Sequence, residues 1–207
     1  MNFLIYLGFI ILFKQMVDNY YKNIIMSHGL FRSFFCFFIS TISLCFSIYN
    51  WDHLLYSPLE PTNFSIIINK LMLSYTLVDT TYFVITKQTR YELILHHLVC
   101  IFLYGLLYDK SIMAFCALGE ILSAFNWVGI LYPQYEWSVK FFKLYSILFI
   151  RFFVWGYTLF LLYQNTFLFL AGLVVVLFFF ILDCYWAGII ITNYIKHYLF
   201  IKNTTNL

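Results

Sequence analysis

The chain has few charged residues, and this scarcity limits the classes of protein to which it can belong. Only 10% of its 207 residues are Asp, Glu, Lys or Arg, whereas 63% are hydrophobic and 24% are aromatic. A soluble domain is about one quarter charged and about half apolar. The composition therefore predicts an integral membrane protein with little room for a separate soluble domain.

Glycine and proline are also scarce, with 8 and 3 residues respectively. The sequence has no glycine-rich phosphate loop and no nucleophile elbow. Its few basic residues form no surface suited to nucleic acid, so no nucleic-acid partner is expected. Abundant Phe, Tyr, Ile, Asn and Lys are typical of an A/T-rich genome, such as that of a protist or a large virus.

The cysteines match neither a disulfide framework nor a zinc motif. All five fall in apolar runs, so we expect them to be small packing or membrane-facing residues, and we expect no metal site. They are Cys36, Cys45, Cys100, Cys116 and Cys184.

Long apolar runs divide the chain into seven segments, and about 20 mainly apolar residues suffice to cross a bilayer. The first is weakened by Lys14, and the fourth is short. All three prolines fall between the segments, where proline is tolerated. The predicted fold is an all-α polytopic membrane bundle with spans at residues 2–17, 31–49, 64–86, 91–108, 111–132, 139–163 and 167–195.

The basic residues are unevenly distributed between the two sides of this layout. Cytoplasmic segments of membrane proteins carry an excess of Lys and Arg. The distribution predicts a lumenal N-terminus and a cytosolic C-terminus. Lys110 lies on the lumenal side, while Lys70 and Arg151 fall within spans. The cytosolic side collects Lys14, Lys22, Arg32, Lys87, Arg90, Lys140, Lys143, Lys196 and Lys202.

Ionisable residues within the predicted spans are the main candidates for a functional site, because such groups usually face a bundle interior or an aqueous cavity. Asp79 lies about 10 Å from the cytosolic end of its span, and His96 and His97 lie about 8 Å from the same side. The two spans are antiparallel neighbours. We therefore expect Asp79 to reach a histidine, fix its tautomer and raise its basicity.

A second polar layer is predicted from Glu120, Arg151 and Asp183, each about 15–18 Å from the cytosolic side. One guanidinium between two carboxylates would form a buried network. This network either serves function or only joins the last three spans. Ser123 and Asn126 are assigned to the same substrate-binding or structural set.

The two adjacent histidines have three possible roles. A shared metal ion is disfavoured, because neighbouring residues on a helix point about 100° apart. Simple hydrogen bonding within the bundle is the second possibility. The matched depth of Asp79 favours the third, a polar site that opens toward the cytosol.

These residues form a pattern that resembles the TLC-domain family, which includes the ceramide synthases. The similarity covers roughly residues 31–195. It begins at Asp79-Thr80-Thr81-Tyr82 and continues through LILHHLVCIFLYG (93–105) and LGEILSAFNW (118–127). Arg151 in LFIRFF and the stretch ILDCYW (181–186) complete it.

The resemblance implies a domain organisation and a possible active site. Residues 1–30 would hold an N-terminal span and a cytosolic loop, 31–195 the TLC-like barrel of six spans, and 196–207 a short tail. In ceramide synthases a double histidine and a later His-Asp pair surround the acyl-transfer site. His96 and His97 match the first motif, but Leu118-Gly119-Glu120 stands where the second would be. The chain is therefore more similar to the smaller TLC-domain proteins.

Three functions are consistent with these observations. The first is lipid handling, meaning lipid binding, sensing, trafficking or control of membrane lipid composition. The second is a lipid acyltransferase that uses acyl-CoA as co-substrate and a sphingoid base as a possible acceptor. Its catalytic residues would be His96, His97 and Asp79. The third is a proton-coupled transporter. No resident cofactor is expected, and the resemblance favours the endoplasmic reticulum or a related endomembrane, which would be a host membrane for a viral protein.

Overall fold

The computed structural model describes residues 3–86, 90–163 and 166–205, and the side chains of these residues except for 166 and 199–205. Throughout this part of the chain the regular structure is helical, and no strand occurs in it. The helices are α1 (Phe3–Tyr20), α2 (Ile24–Tyr49), α3 (Trp51–Tyr56), α4 (Asn63–Ile85), α5 (Tyr91–Leu106), α6 (Ser111–Cys116), α7 (Ile121–Ala124), α8 (Asn126–Leu131), α9 (Glu136–Tyr145), α10 (Phe152–Leu162) and α11 (Thr166–Thr205).

Five helical segments of the described chain are long and apolar enough to cross a membrane, compared with the seven spans predicted. This is the composition of an integral membrane protein. Helix α4 is 23 residues long but less apolar, and α5 is apolar but has only 16 residues. The five segments are Phe3–Tyr20, Ile24–Tyr49, Ser111–Leu131, Pro133–Leu162 and Phe167–Tyr198.

Helix α2 begins earlier than predicted and is the central helix of the bundle. The side chain of Asn23 caps it by accepting hydrogen bonds from the backbone N–H groups of Ile25 and Met26, both at 3.1 Å. This cap extends the helix seven residues before the predicted start at 31. The predicted boundary between residues 30 and 31 therefore falls inside α2. The predicted start of the tail, residue 196, similarly falls inside α11.

Helix α2 packs against α1, α4 and the segment from α6 to α8. Aromatic side chains fill these contacts: Phe35 stacks on Tyr75 of α4 with ring centroids 4.2 Å apart, and both are buried. Such stacking adds to the benefit of apolar burial. Helices α5, α6, α10 and α11 surround a separate space that α2 does not line.

Two of the long segments contain irregular turns. Between α6 and α7 the chain forms a 3₁₀ turn over Ala117–Glu120, and between α9 and α10 it forms a π-helix over Ser146–Arg151. Both irregularities change the direction in which following side chains point, and π-turns occur frequently at functional sites. Glu120 ends the first and Arg151 ends the second.

Ser33 of α2 stabilises a further break in the same segment, between α7 and α8. Its hydroxyl oxygen lies 3.0 Å from the carbonyl oxygen of Ser123 and 3.1 Å from that of Ala124, and it accepts a 2.8 Å hydrogen bond from the backbone N–H of Trp127. One buried hydroxyl therefore satisfies backbone groups that the helix break leaves without intrahelical partners.

We expect Ser33→Ala to lower the free energy of unfolding by about 1–3 kcal/mol, because backbone groups at the break lose their partner. The measurement is thermal unfolding of the purified protein in detergent. Ser40→Ala is the matched control, since the buried Ser40 hydroxyl bonds only within α2, to the carbonyl of Cys36 at 2.7 Å. Equal stability losses in the two variants would contradict this role for Ser33.

Candidate functional site

Asp79 on α4 is fully buried, and three basic side chains surround its carboxylate. His28 Nε2 lies 2.7 Å from Oδ1, whereas Arg32 Nε and His97 Nε2 lie 3.1 Å and 3.4 Å from Oδ2. A buried carboxylate is costly unless it is paired, so this arrangement compensates its charge. As predicted, Asp79 lies close to a histidine, which is His97. The catalytic role of Asp79 stays a prediction.

His28 and Arg32 belong to the Asp79 cluster and were not predicted to lie there. They are four residues apart on α2 and therefore share one face of the helix. His28 stacks on Tyr82 with ring centroids 3.4 Å apart, and Arg32 lies over Phe83 at 5.3 Å. The prediction counted Arg32 with the cytosolic charges and placed His28 in a loop. Both lie in the bundle because α2 already begins at Ile24.

His96 faces a different partner from its neighbour His97. Its Nε2 lies 3.7 Å from Oε1 of Glu120 and 3.6 Å from Sγ of Cys100, one turn further along α5. The two rings diverge because successive side chains on a helix point about 100° apart. The pair therefore divides between two carboxylates, with His97 beside Asp79 and His96 beside Glu120.

A thiol and a phenol lie beside Glu120. The Cys36 thiol donates to Oε2 of Glu120 at 3.6 Å, and Cys36 Sγ lies 3.5 Å from the Tyr75 hydroxyl. The Tyr75 ring is in turn 6.3 Å from the His97 ring. The two carboxylate clusters are therefore adjacent, and these α2 and α4 side chains separate them.

Arg151 and Asp183 form the third charged cluster. Arg151 Nε donates to Oδ2 of Asp183 at 3.0 Å and lies 2.9 Å from Oδ1, while the Trp155 indole N–H donates to Oδ2 at 2.9 Å. The prediction placed Arg151 between two carboxylates. Instead, its second hydrogen bond goes to the backbone carbonyl of Gly119 at 2.9 Å. The 3₁₀ turn directs that carbonyl toward Arg151 and leaves Glu120 beside His96.

A cavity of about 360 Å³ lies between α5, α6, α10 and α11. Its lining includes the side chains of His96, Glu120 and Arg151 at one end. The hydroxyls of Tyr104 and Thr158 also belong to the lining, but each donates to a backbone carbonyl. Following each helix away from these residues leads to an apolar lining, which ends near Leu107 on α5 and Leu162 on α10. The distance from His96 to Leu107 is about 16 Å along the helix. The cavity is therefore elongated, with one polar end and one apolar end.

Ser123 and Asn126 do not join the polar residues that line this cavity. Both lie at the break between α7 and α8, where the backbone of Ser123 accepts from Ser33. The prediction grouped them with Glu120 because Ser123 follows it at i+3 in the TLC-like stretch and Asn126 is a further polar residue of the same predicted span. The 3₁₀ turn and the break at Phe125 interrupt that span, and the two residues lie where α7 and α8 pack against α2.

Sequence reasoning also missed Trp155 and Cys100, which line the cavity. Both were visible in principle, because Trp155 follows Arg151 by four residues and Cys100 follows His96 by four. Such residues lie on the same helix face. The His28–Arg32 pair has the same spacing of four residues, which also indicates a shared helix face.

Comparison with protein-family models, with curated proteins and with solved structures finds no match to this chain. The geometry of the clusters and of the cavity is therefore the basis for a functional proposal.

We expect Asp79→Asn to destabilise the protein strongly, because it leaves three basic side chains buried without their anionic partner. Removing one member of a buried ion pair typically costs about 3–5 kcal/mol. The measurement is the apparent melting temperature in detergent. Asp52→Asn, at an exposed position on α3, is the matched control and should leave the melting temperature unchanged. If Asp79→Asn is as stable as the parent protein, the cluster does not hold α2, α4 and α5 together.

Proposed function

We propose that this chain is a multi-pass membrane protein that handles lipids and binds one acyl chain in the cavity between α5, α6, α10 and α11. The observation that carries the proposal is the shape of the lining, which is apolar along most of its length and ends at His96, Glu120 and Arg151. Single-chain amphiphiles have the same distribution of apolar and polar groups.

The cavity volume supports one chain rather than two. Small-molecule sites usually enclose about 300–1,000 Å³, and a volume of about 360 Å³ lies at the low end of that range. Each methylene group removed from water contributes about 0.8 kcal/mol, so an apolar lining of this length favours an alkyl ligand. A lipid with two acyl chains would have to leave one chain outside, between the helices and the bilayer.

The proposal includes the finer topology expected from the sequence. In it α4 and α5 cross the membrane together with the five long apolar segments, because the polar face of α4 is buried against α1, α2 and α5. The N-terminus is lumenal and the C-terminus cytosolic. Residues 31–195 form a TLC-like bundle in the endoplasmic reticulum or a related endomembrane.

One observation favours acyl transfer as a second candidate function. His96 both lines the cavity and lies 3.7 Å from Glu120, so a general base would stand at the head-group end of a bound acyl thioester. The acceptor hydroxyl or amine would lose its proton to His96 while it attacks the thioester carbonyl. The leaving thiolate would then take up that proton. In this mechanism Glu120 orients the ring, and His97 and Asp79 maintain the neighbouring structure.

Lipid binding is tested by filling the cavity. We expect Val175→Phe to reduce the amount of lipid that co-purifies with the protein in mild detergent, because Val175 lines the cavity. The measurement is mass spectrometry of extracted lipids, normalised to protein. Val174→Phe is a close control, since the adjacent side chain is 69% exposed on the outer face of α11. Equal lipid content in the two variants would contradict binding in this cavity.

Acyl transfer is tested by comparing the two histidines. If the protein transfers acyl groups, we expect His96→Ala to lower the rate by about 10²–10⁴-fold, the usual contribution of a general base. His97→Ala should change it only a few-fold in protein that remains folded. The measurement is transfer from a radiolabelled acyl-CoA to a sphingoid base, with melting temperatures recorded for both variants. An unchanged rate in the folded variant at residue 96 would exclude this mechanism.

A further inference from the structure

The polar end of the cavity has a hydrogen-bond donor without a partner. Arg151 uses Nε and Nη1, but its Nη2 is buried and has no hydrogen-bond partner. Trp186 lies behind the lining, and its indole Nε1 is likewise buried and unpartnered; this ring is 5.8 Å from the Arg151 guanidinium and 5.6 Å from the His96 ring. Buried donors are nearly always paired in folded proteins, so unpartnered nitrogens beside a cavity indicate a ligand that accepts hydrogen bonds.

The same end of the cavity also has unused acceptor capacity. Glu120 Oε1 is 3.7 Å from His96 Nε2, which exceeds the length of a good hydrogen bond. Glu120 Oε2 receives only the weak thiol donor of Cys36 at 3.6 Å. A carboxylate offers about four lone-pair sites, so Glu120 has room for an O–H or N–H donor from a ligand.

The charged side chains at this end are of both signs. The Arg151 guanidinium lies 2.9 Å from the Asp183 carboxylate, and the Glu120 carboxylate lies 3.7 Å from the His96 ring. Among the described residues that line the cavity, no further charged side chain is present. An anionic head group would lie close to the Glu120 carboxylate, and a cationic one close to the Arg151 guanidinium, so a charge of either sign would meet a like charge in a low-dielectric site, which is costly.

We propose that the cavity binds a monoacyl lipid with an uncharged head group in which a carbonyl lies close to a hydroxyl or amide N–H. Arg151 Nη2 donates to the carbonyl, and Glu120 accepts from the O–H or N–H. This inference rests on the proposed lipid-binding function and makes it specific. Monoacylglycerols and fatty-acid amides have the required chemistry, whereas sphingoid bases and fatty carboxylates do not.

The test uses the full-length protein in mild detergent and a monoacylglycerol with a photoactivatable group in its chain. Labelled peptides are identified by mass spectrometry, with labelling of α5 and α11 expected. Four unlabelled competitors of equal chain length are then compared: the monoacylglycerol, its ether analogue without the carbonyl, the alkylamine and the fatty carboxylate. We expect the last three to compete about tenfold or more weakly, since a hydrogen bond from a charged donor is lost or a charge is buried.

Two variants test the individual contacts. Arg151→Lys keeps the charge that faces Asp183 but removes Nη2, and should weaken labelling about tenfold. Glu120→Gln keeps an acceptor oxygen, so it should retain labelling to within a few-fold, whereas binding of a cationic head would be lost. If Arg151→Lys does not fold, the competitor series on the parent protein still decides the question.

The possible failures are distinguishable. Equal competition by the ester and ether analogues, or strongest competition by the amine or the carboxylate, would overturn the head-group inference and leave acyl-chain binding intact. Labelling that Val175→Phe does not reduce, or that misses α5 and α11, would overturn the proposed lipid-binding function itself.

Discussion

The structure depends on the need to compensate three carboxylates that lie inside a helical bundle. Asp79 and Asp183 are fully buried, and Glu120 retains only 15% of its side-chain exposure. Each has a basic side chain as its neighbour, and that side chain always belongs to another helical segment than the carboxylate. Because an uncompensated buried charge costs several kcal/mol, these pairings constrain how the helices are rotated against one another.

Irregular backbone makes two of these pairings possible. The 3₁₀ turn that ends at Glu120 frees the carbonyl of Gly119 for Arg151, and the π-helix that ends at Arg151 sets the direction of its guanidinium. Non-helical backbone at membrane depth is tolerated where protein surrounds it or where it lines a cavity. Here the 3₁₀ turn packs against α2, and the last residues of the two turns, Glu120 and Arg151, line the cavity.

The clusters have different relations to the cavity. The Asp79 cluster joins α2, α4 and α5, and of its members none lines the cavity. His96, Glu120 and Arg151 do line it and retain unused hydrogen-bonding capacity. The cluster that looks most like a catalytic site in the sequence is therefore charge-compensated but remote from the cavity, whereas the one beside it faces the space where a ligand fits.

Residue composition and apolar run length were sufficient to predict an all-helical protein with several membrane-length helices, because burial of apolar surface depends on these local properties. The helical rise, which put both groups at a similar depth in neighbouring antiparallel spans, also predicted that Asp79 and a histidine on the next helix lie close together. The sequence alone did not reveal that His28 and Arg32 complete that cluster, that His96 turns toward Glu120, or that a cavity opens beside Arg151. Periodicity specifies where a side chain points around its own helix axis. The rotation of neighbouring helices, and the turns that interrupt them, are decided by packing and charge compensation across the whole bundle.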